Sequence, residues 1–173
     1  MKHLFIILTC MVLLNSSCTV NNSTVSGNKK ADSTAVSAML DSFHRAAAVA
    51  DFDVYFSFFA NDAVFAGTDA TERWDKKSFM DWAKPFFDRK KAWDFTAVKR
   101  HIYFSENMET GWFDELLQTQ MKICRGSGVV VKENNRWLIK QYILSMTIPN
   151  RNTREVVMLK TAEEDSLLNV YML

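Results

Sequence analysis

The hydrophobic pattern of the chain changes from helical spacing to strict alternation at about residue 93. Before that point, apolar residues recur every three or four positions, which is the spacing of amphipathic helices. A first helix is predicted for residues 33–50 behind a cap at Asp32 or Ser33, with Leu40 and Phe43 on its apolar face. The order of the two patterns predicts helices first and a sheet afterwards.

Two further helices and a short strand are predicted before the pattern changes. The second helix follows a cap at Asp51 or Asp53 and ends at a turn over residues 61–62. Residues 63–66 are predicted as a brief strand, and a third helix begins behind Asp75 as its cap. The apolar face of this third helix consists of Phe79, Trp82, Ala83 and Phe86.

Alternating apolar and polar residues predict four long strands in the second half of the chain. They span residues 93–104, 111–117, 123–131 and 137–148, with Asn134-Asn135 as a two-residue hairpin turn. Helices followed by antiparallel strands indicate an α+β fold, in which about three N-terminal helices pack on one face of a strongly curved, cone-shaped sheet. Such a sheet leaves a cavity near its mouth.

The predicted hairpin turn also determines which residues of the last two strands share a face. Pairing Glu133 with Arg136 and counting outward places Ser127 opposite Tyr142, and the adjacent Gly126 and Gly128 could make room for a helix or a ligand. The more apolar face carries Trp137, Val130, Ile139, Gly128, Gln141, Gly126, Ile143, Cys124 and Ser145. The other face carries Val131, Leu138, Val129, Lys140, Ser127, Tyr142, Arg125 and Leu144. Either face could be the concave one.

A polar cluster is predicted where the preceding strand joins this hairpin. If the connecting turn centres on residues 119–120, Asp114 lies opposite Arg125, whereas a one-residue slip substitutes Glu115 and Phe113. The first register gathers an aromatic-lined polar patch of Trp112, Asp114, Arg125 and Tyr142. Such a patch could orient the polar end of a small ligand, and the alternative is a surface salt bridge with flanking aromatics.

Composition indicates one folded domain without a nucleic-acid partner. The 173 residues are 48% hydrophobic and 13% aromatic, which is enough for one well-packed core. The formal charge of +1, from 21 basic and 20 acidic residues, lacks the excess that nucleic-acid binders show. The three histidines have none of the usual ligand spacings, so we expect no metal and no other cofactor.

The N-terminus has the pattern of an export signal. Lys2 and His3 precede an apolar run over residues 4–14, which is too short to span a bilayer and is typical of a signal-peptide core. The order LLNSSC is similar to a bacterial lipoprotein box, so residues 1–17 are predicted as a signal peptide and Cys18 as lipidated. A plain secretory signal cut near the same place is the alternative.

The domain organisation follows from this processing. Residues 18–32 are predicted as a flexible tether, residues 33–150 as the folded domain and residues 151–173 as a C-terminal extension. We expect an exported protein of the cell envelope, facing the periplasm or the cell surface, that touches the membrane only through its lipid. Cys124 would then be left alone, so no disulfide is expected.

Four stretches of the chain resemble one known family. They are GTDATERW at 67–74, GWFDELL at 111–117, RGSGVVV at 125–131 and RWLIKQYILSMTIPN at 136–150. Together they resemble the SnoaL-like branch of the nuclear transport factor 2-like superfamily over roughly residues 33–150. The resemblance implies a cystatin-like α+β roll. It implies no single activity, because the superfamily includes ketosteroid isomerases, polyketide cyclases, dehydratases, kinase association domains and binding modules.

Candidate site residues come from the strand pattern and from this resemblance. Asp114 or Glu115 could be a carboxylate base, with Tyr142 as a donor and His44 as an alternative base, although a hydrogen-bonded structural histidine is the other interpretation. Glu72 and the neighbouring Trp74 could line the rim of the pocket or only pin their loop. The ligand-binding candidates are Trp74, Trp112, Asp114, Arg125, Gln141 and Tyr142.

Three functions from different classes remain open at this point. The first is a binding protein that takes up a small, largely apolar ligand in the cone pocket. The second is an isomerase, cyclase or dehydratase that acts by proton transfer without a cofactor. The third is an interaction module that forms a homodimer through its exposed sheet face.

Overall fold

The computed structural model describes residues 22–172, and residues 22–28 by their backbone only. The described helices and strands are, in order, α1 (Asn22–Ala48), α2 (Phe52–Ser57), β1 (Phe59–Ala66), β2 (Arg73–Asp75), α3 (Lys76–Asp88), β3 (Thr96–Phe104), β4 (Thr110–Thr119), β5 (Lys122–Glu133), β6 (Arg136–Met146) and α4 (Thr153–Tyr171). The predicted signal peptide over residues 1–17 and the predicted lipid site at Cys18 lie outside the described residues.

The strands form one curled sheet in the order β2-β1-β6-β5-β4-β3. β1 runs parallel to β6, whereas all other neighbouring strands are antiparallel. α1 packs against β3 and β6, and α3 packs against β1 and β2. This arrangement confirms the predicted α+β class, with three N-terminal helices against a strongly curved sheet.

The first helix begins earlier than its hydrophobic pattern predicts. α1 starts at Asn22, so Asp32 and Ser33 lie inside the helix rather than at its cap, and residues 22–32 of the predicted tether are helical. The Asp32 carboxylate instead accepts hydrogen bonds from Lys132 Nζ at 2.8 Å and Trp137 Nε1 at 2.9 Å. These bonds attach α1 to β5 and β6, and a packed helix extends at little cost because each added residue gains a backbone hydrogen bond.

Side-chain caps fix where the next two helices begin. Asp51 caps α2 by accepting from Val54 N at 3.2 Å, and Asp75 caps α3 by accepting from Ser78 N at 2.7 Å. α2 ends at Ser57 rather than at the predicted turn over residues 61–62. The residues that follow pair with β6 and are buried, so the sheet and the core determine this boundary more strongly than the local turn signal.

The predicted turn between the last two strands is confirmed, but the predicted faces are not. Asn134 and Asn135 both adopt positive φ angles, of 49° and 60°, as a two-residue hairpin turn requires. Farther along, Val130 pairs with Ile139 while the preceding Val129 pairs with Gln141, so Lys140 is an extra residue in β6. This β-bulge reverses which residues of β6 face the helices.

The bulge corrects the assignment of the β6 residues to faces. Tyr142 lies opposite Gly128 rather than Ser127, and its side chain is buried together with that of Leu144 on the concave face. Gln141 and Ile143, which the unbroken alternation assigns to the more apolar face, lie on the convex face instead. β6 therefore presents Trp137 and Ile139 to the core before the bulge, and Tyr142 and Leu144 after it.

The connection between β4 and β5 also differs from the prediction. Thr119 pairs with Lys122, so the turn centres on residues 120–121, and Asp114 lies opposite Ser127 rather than Arg125. The shift moves the partners by two positions, which leaves every side chain on its own face. Asp114 consequently stays on the convex face, and its neighbour Glu115 points into the core.

The C-terminal extension predicted for residues 151–173 contains α4, which has no buried residue. Its exposed side chains include Leu159 and Met172, each 83% exposed. Among the helices of residues 22–172, none combines the length and apolarity that a membrane span needs.

Candidate functional site

The concave side of the sheet and the helices surround a cavity of about 160 Å³. An apolar cavity of roughly 150 Å³ is large enough to bind benzene, so this one suits a ligand of one or two rings. Most of its wall is aromatic. The lining residues are Phe43, Tyr55, Phe65, Gly67, Thr68, Glu72, Trp74, Phe79, Trp82, Trp93, Phe95, Gln120, Met121, Tyr142 and Leu144.

Strand β1, strand β2 and helix α3 build one wall of this cavity. Phe65 stacks on Phe79, with ring centroids 4.0 Å apart and planes 11° apart. Trp74 lies 4.9 Å from Trp82, centroid to centroid. The buried face of α3 consists of Phe79, Ala83 and Phe87 rather than the predicted set, which leaves Trp82 39% exposed at the cavity mouth.

Another residue of the lining, Tyr55, carries a deeply buried hydroxyl group. Tyr55 of α2 is fully buried, and its hydroxyl has no hydrogen-bond partner among the described residues. Burial raises the pKa of Tyr55 well above its ordinary value, and the Trp93 side chain opposes this rise only partly. An indole N–H can only donate, so the proton of the Tyr55 hydroxyl still lacks an acceptor. Buried polar groups are usually bonded, and this one is an exception that a ligand could explain.

Behind the cavity, a buried carboxylate holds together four elements of the fold. Glu115 of β4 is 0% exposed. Its Oε1 accepts from His44 Nε2 of α1 at 2.7 Å and from the Tyr142 hydroxyl of β6 at 3.0 Å. Its Oε2 accepts from Arg100 Nε of β3 at 2.8 Å, and Arg100 Nη2 lies 2.7 Å from the same oxygen. Because an ionised carboxylate only accepts, His44 Nε2 must carry its proton.

The outer side of this network reaches back to α1. Arg100 Nη1 donates to the carbonyl oxygen of Ser37 at 3.0 Å, to the Ser37 hydroxyl at 2.9 Å and to Asp41 Oδ1 at 2.8 Å. Burial would lower the pKa of Arg100, but the charges of Glu115 and Asp41 raise it above its ordinary value. The guanidinium therefore stays charged and anchors the helix to the sheet.

The network sets the protonation of its carboxylate and its phenol. Burial would raise the pKa of Glu115, but hydrogen bonds and charge from His44 and Arg100 lower it below its ordinary value. Burial raises the pKa of Tyr142 well above its ordinary value, and the negative charge of Glu115 raises it further. At neutral pH, Glu115 is a carboxylate and Tyr142 a neutral phenol that donates to it.

A glycine of β5 makes room for this phenol. A Cβ atom placed on Gly126 would lie 2.2 Å from the Tyr142 hydroxyl oxygen and 3.1 Å from Glu115 Cγ. A Cβ on Gly128 would lie 2.1 Å from the Gln141 carbonyl oxygen. The two glycines therefore leave space for neighbouring protein atoms, and not for a helix or a ligand as their pattern suggested.

The structure separates the residues that the sequence predicted as one site. Trp74 and Tyr142 line the cavity, and His44 lies behind it. The other four ligand-binding candidates, all on the convex face, are Trp112, Asp114, Arg125 and Gln141. Asp114 Oδ1 lies 3.3 Å from His101 Nδ1, and the Trp112 ring stacks on Tyr103 at 6.0 Å. The predicted cluster of Trp112, Asp114, Arg125 and Tyr142 is thus not formed, because Tyr142 lies on the opposite face.

Sequence reasoning missed Tyr55 and Arg100. The alternation of β3 carries a signal for Arg100, because this residue shares its side of the strand with Ile102 and Phe104. A charged residue in such a row needs a buried partner. Tyr55 gives no comparable signal, since a tyrosine on a helix face reads as an ordinary core residue. Within residues 22–172, histidine, cysteine and acidic side chains do not converge in groups of three that could hold a metal ion.

Comparisons with known proteins agree with this architecture. The family model for the SnoaL-like domain matches residues 36–149. Curated proteins contain no significant match to the chain. Several solved structures are similar in fold at 10–15% sequence identity.

Three of these structures illustrate the range of proteins that are similar to this chain in fold. A scytalone dehydratase-like protein from Novosphingobium aromaticivorans has a TM-score of 0.61 and 10% identity, over 71% of this chain and 89% of its own. A cystatin-like domain of unknown function from Nostoc punctiforme has a TM-score of 0.60 and 15% identity, over 82% of this chain and 94% of its own. A nuclear transport factor 2-like protein of unknown function from Pseudomonas putida has a TM-score of 0.59 and 10% identity, over 70% of this chain and 90% of its own.

Proposed function

The chain belongs to the SnoaL-like domain family, and we propose that its domain binds a small, largely apolar molecule in the aromatic cavity. The observation that carries this proposal is that Tyr55 lines the aromatic cavity while its buried hydroxyl lacks a hydrogen-bond acceptor among the described residues. Leaving such a group unpaired costs about 1–3 kcal/mol. A ligand that offers an acceptor to Tyr55 would remove that penalty, while its apolar body would pack on the tryptophans.

The geometry gives less support to a proton-transfer enzyme. A general base must come within hydrogen-bond reach of the proton that it removes. Glu115 is fully buried, both of its oxygens already accept hydrogen bonds, and it does not line the cavity. Its bonds to His44 and Arg100 hold it in place as part of the fold, so the function that we propose is binding.

Titration with 1-indanone tests the proposal, since this compound has a two-ring apolar body and one carbonyl acceptor. Three tryptophans line the cavity, and we expect a saturable change in tryptophan emission with one equivalent bound. Trp82→Phe should reduce this change, whereas Trp112→Phe, which removes a tryptophan of the convex face, should leave it intact. A signal that does not saturate, or that disappears only in Trp112→Phe, would contradict binding in the cavity.

The role of Tyr55 has its own test. Tyr55→Phe removes only the hydroxyl oxygen, so the affinity for 1-indanone should fall about 3- to 10-fold, the worth of one hydrogen bond. Indane has the same shape without the carbonyl and serves as the matched ligand, because its affinity should not fall in the variant. Equal losses for the two compounds would refute the hydrogen bond.

We also propose that the protein is exported and held at the cell envelope by a lipid on Cys18. The support is the sequence alone, since residues 1–21 are not described. In a bacterial host, the chain should enter the membrane fraction with a lipid-sized mass increase, and Cys18→Ala should abolish both. Cys10→Ala is the control, because Cys10 lies inside the apolar run. A mature chain without that mass increase would refute the lipid anchor.

A second role, homodimer formation through the convex face, is favoured by two exposed aromatic residues there. Trp112 and Tyr103 are each 47% exposed and stack on one another. Exposed aromatic pairs are typical of interfaces. Light scattering should then report a dimer that Trp112→Ala weakens, while Trp82→Ala at the cavity mouth does not. A monomer at high micromolar concentration would exclude this role.

A further inference from the structure

The charge distribution around the cavity is one-sided. Among the described residues that line it, Glu72 is the one with a carboxylate side chain. Tyr55 and Tyr142 stay neutral, because burial raises the pKa of each well above its ordinary value. The part of the lining that the structure describes contains no lysine, arginine or histidine. The cavity therefore presents one negative charge to whatever enters it.

The carboxylate of Glu72 is held in place at the rim. Its Oε2 accepts from Asp69 N at 3.3 Å, and a Cβ atom on Gly67 would lie 2.1 Å from this oxygen. The absence of a side chain on Gly67 thus lets the carboxylate fold over the loop. Within residues 22–172, the ion pairs do not include Glu72, so its charge is not balanced by a protein cation within salt-bridge distance.

Two tryptophan rings lie on the same rim. Trp74 follows Glu72 by two residues, and the ring centroids of Trp74 and Trp82 are 4.9 Å apart. The faces of aromatic rings, of tryptophan above all, attract cations. In the described part of the chain, lysine and arginine side chains lie over Phe52, Phe86 and Trp137 but not over these two rings. Within the described residues, the carboxylate and the two rings are thus not paired with a lysine or arginine, and Trp82, which packs on Trp74 and is 39% exposed, is the ring more accessible to a cation from outside.

We propose that the mouth of the cavity takes the cationic amine end of the ligand, a protonated or quaternary ammonium group carried on an aromatic or apolar body. This inference rests on the proposed binding function. The ammonium group would lie between Glu72 and the two tryptophans, and the apolar body would extend inward along Phe65 and Phe79. A ligand with a carboxylate or phosphate in the same position would meet the charge of Glu72 and be repelled.

Two compounds of equal shape and different charge test this. Phenyltrimethylammonium carries the cation, and tert-butylbenzene replaces its nitrogen by carbon. Dissociation constants for both are measured by tryptophan emission with the wild-type chain and with Glu72→Gln. The amide oxygen of glutamine can still accept from Asp69 N, so the loop is kept. We expect Glu72→Gln to lower the affinity for phenyltrimethylammonium by about three- to tenfold and to change the affinity for tert-butylbenzene by less than about twofold.

A second variant separates the site from the overall charge of the chain. Glu155→Gln removes the same charge from the exposed helix α4 and should leave both affinities unchanged. Two results would overturn the cation site and leave the binding function standing. One is wild-type protein that binds tert-butylbenzene but not phenyltrimethylammonium, and the other is an equal loss of affinity for both compounds in Glu72→Gln. If phenyltrimethylammonium, tert-butylbenzene and 1-indanone all fail to bind, the proposed binding function is refuted, and the cation site with it.

Discussion

Two histidine–carboxylate pairs lie on opposite faces of the same strand, at adjacent residues of β4. On the concave face, Glu115 is 0% exposed and lies 2.7 Å from His44. On the convex face, the Asp114 side chain is 36% exposed and lies 3.3 Å from His101. The two pairs use the same chemical groups, and they differ in access to water and in the number of additional partners.

The difference teaches where such a pair contributes to the fold. In water, the attraction between exposed groups is screened, and holding two side chains together has an entropic cost, so the net value is small. A buried pair is not a strong source of stability either, because removing charge from water is expensive. Its partners are nevertheless difficult to remove singly, since each would leave another charge or dipole unpaired. Glu115 has three partners, and Asp114 has one hydrogen-bond partner among the described residues.

The largest effect is expected from truncating the two carboxylates in turn. Glu115→Ala should lower the free energy of unfolding by about 3–5 kcal/mol, because Arg100 and Tyr142 lose their buried acceptor. Asp114→Ala should lower it by less than about 1 kcal/mol. Urea unfolding of both variants measures the difference. Should Glu115→Ala prove too unstable to fold, Glu115→Gln is the milder substitute, and a loss equal to that of Asp114→Ala would contradict the comparison.

A smaller effect is expected from crowding the same site. Gly126→Ala places a methyl group where the Tyr142 hydroxyl lies, which should cost about 1–3 kcal/mol and weaken the bond to Glu115. Ser127→Ala, one residue away and pointing to the convex face, is the control and should change stability by less than about 0.5 kcal/mol. Thermal unfolding of the two variants measures the difference in stability. If Gly126→Ala leaves the stability unchanged, the Tyr142 hydroxyl does not occupy the space beside Gly126.

Acid should distinguish the two faces as well. The folded chain lowers the pKa of Glu115, so the unfolded chain binds more protons at acidic pH. The stability that Glu115 contributes is present above its ordinary pKa of 4.5 and is lost as the pH falls through the lower value in the folded state. Urea midpoints between pH 7 and pH 3 should therefore fall less in Glu115→Gln than in the wild type.

The control for this pH experiment is Asp114→Asn, which removes the exposed carboxylate of the adjacent residue on the convex face. Asp32 and Asp75 also have lowered pKa values, through bonds to Lys132 and Trp137 and to Ser78. Some loss of stability in acid is consequently expected in every variant. If Glu115→Gln and Asp114→Asn change the slope equally, the pKa of Glu115 is not set by its buried partners.

The smallest effect is expected at the exposed pair. A double-mutant cycle over His101→Ala and Asp114→Ala should give a coupling energy below about 1 kcal/mol, which should shrink further in high salt. Measurement by urea unfolding at low and high ionic strength is sufficient. A coupling of several kcal/mol would mean that exposure does not separate the two pairs.

The sequence predicts those parts of the fold that local signals determine. The caps at Asp51 and Asp75 and the turn at Asn134-Asn135 depend on side chains and backbone angles within a few residues, and the structure has all of them. The succession of helices and strands follows from hydrophobic periodicity for the same reason. Residues in contact over longer distances, such as His44 and Glu115, depend on the register of the sheet.

The candidate site was predicted less well because register is a non-local property. One extra residue at Lys140 is invisible in a pattern of alternating residues, yet it moves Tyr142 from one face to the other. The alternation of Phe113, Glu115 and Leu117 does place Glu115 on the core side of β4, and Glu115 was the alternative if the register slipped. The pattern also assigns Arg100, the partner of Glu115, to a strand, but alternation alone does not show that the two side chains meet.

The bulge at Lys140 divides β6 into two segments that differ in which residues, odd-numbered or even-numbered, face the core. Before it, odd-numbered residues such as Ile139 enter the core, and after it, even-numbered residues such as Tyr142 do. Deleting Lys140 would remove the bulge without changing the pairing of β5 with β6, so Ile139, Tyr142 and Leu144 would still face the core, and Gln141 and Ile143 would still face outward, in one unbroken alternation. Lys140 thus separates two stretches of opposite odd–even parity, and the numbering of β6 predicts the faces of its residues only when this one residue is left out of the count.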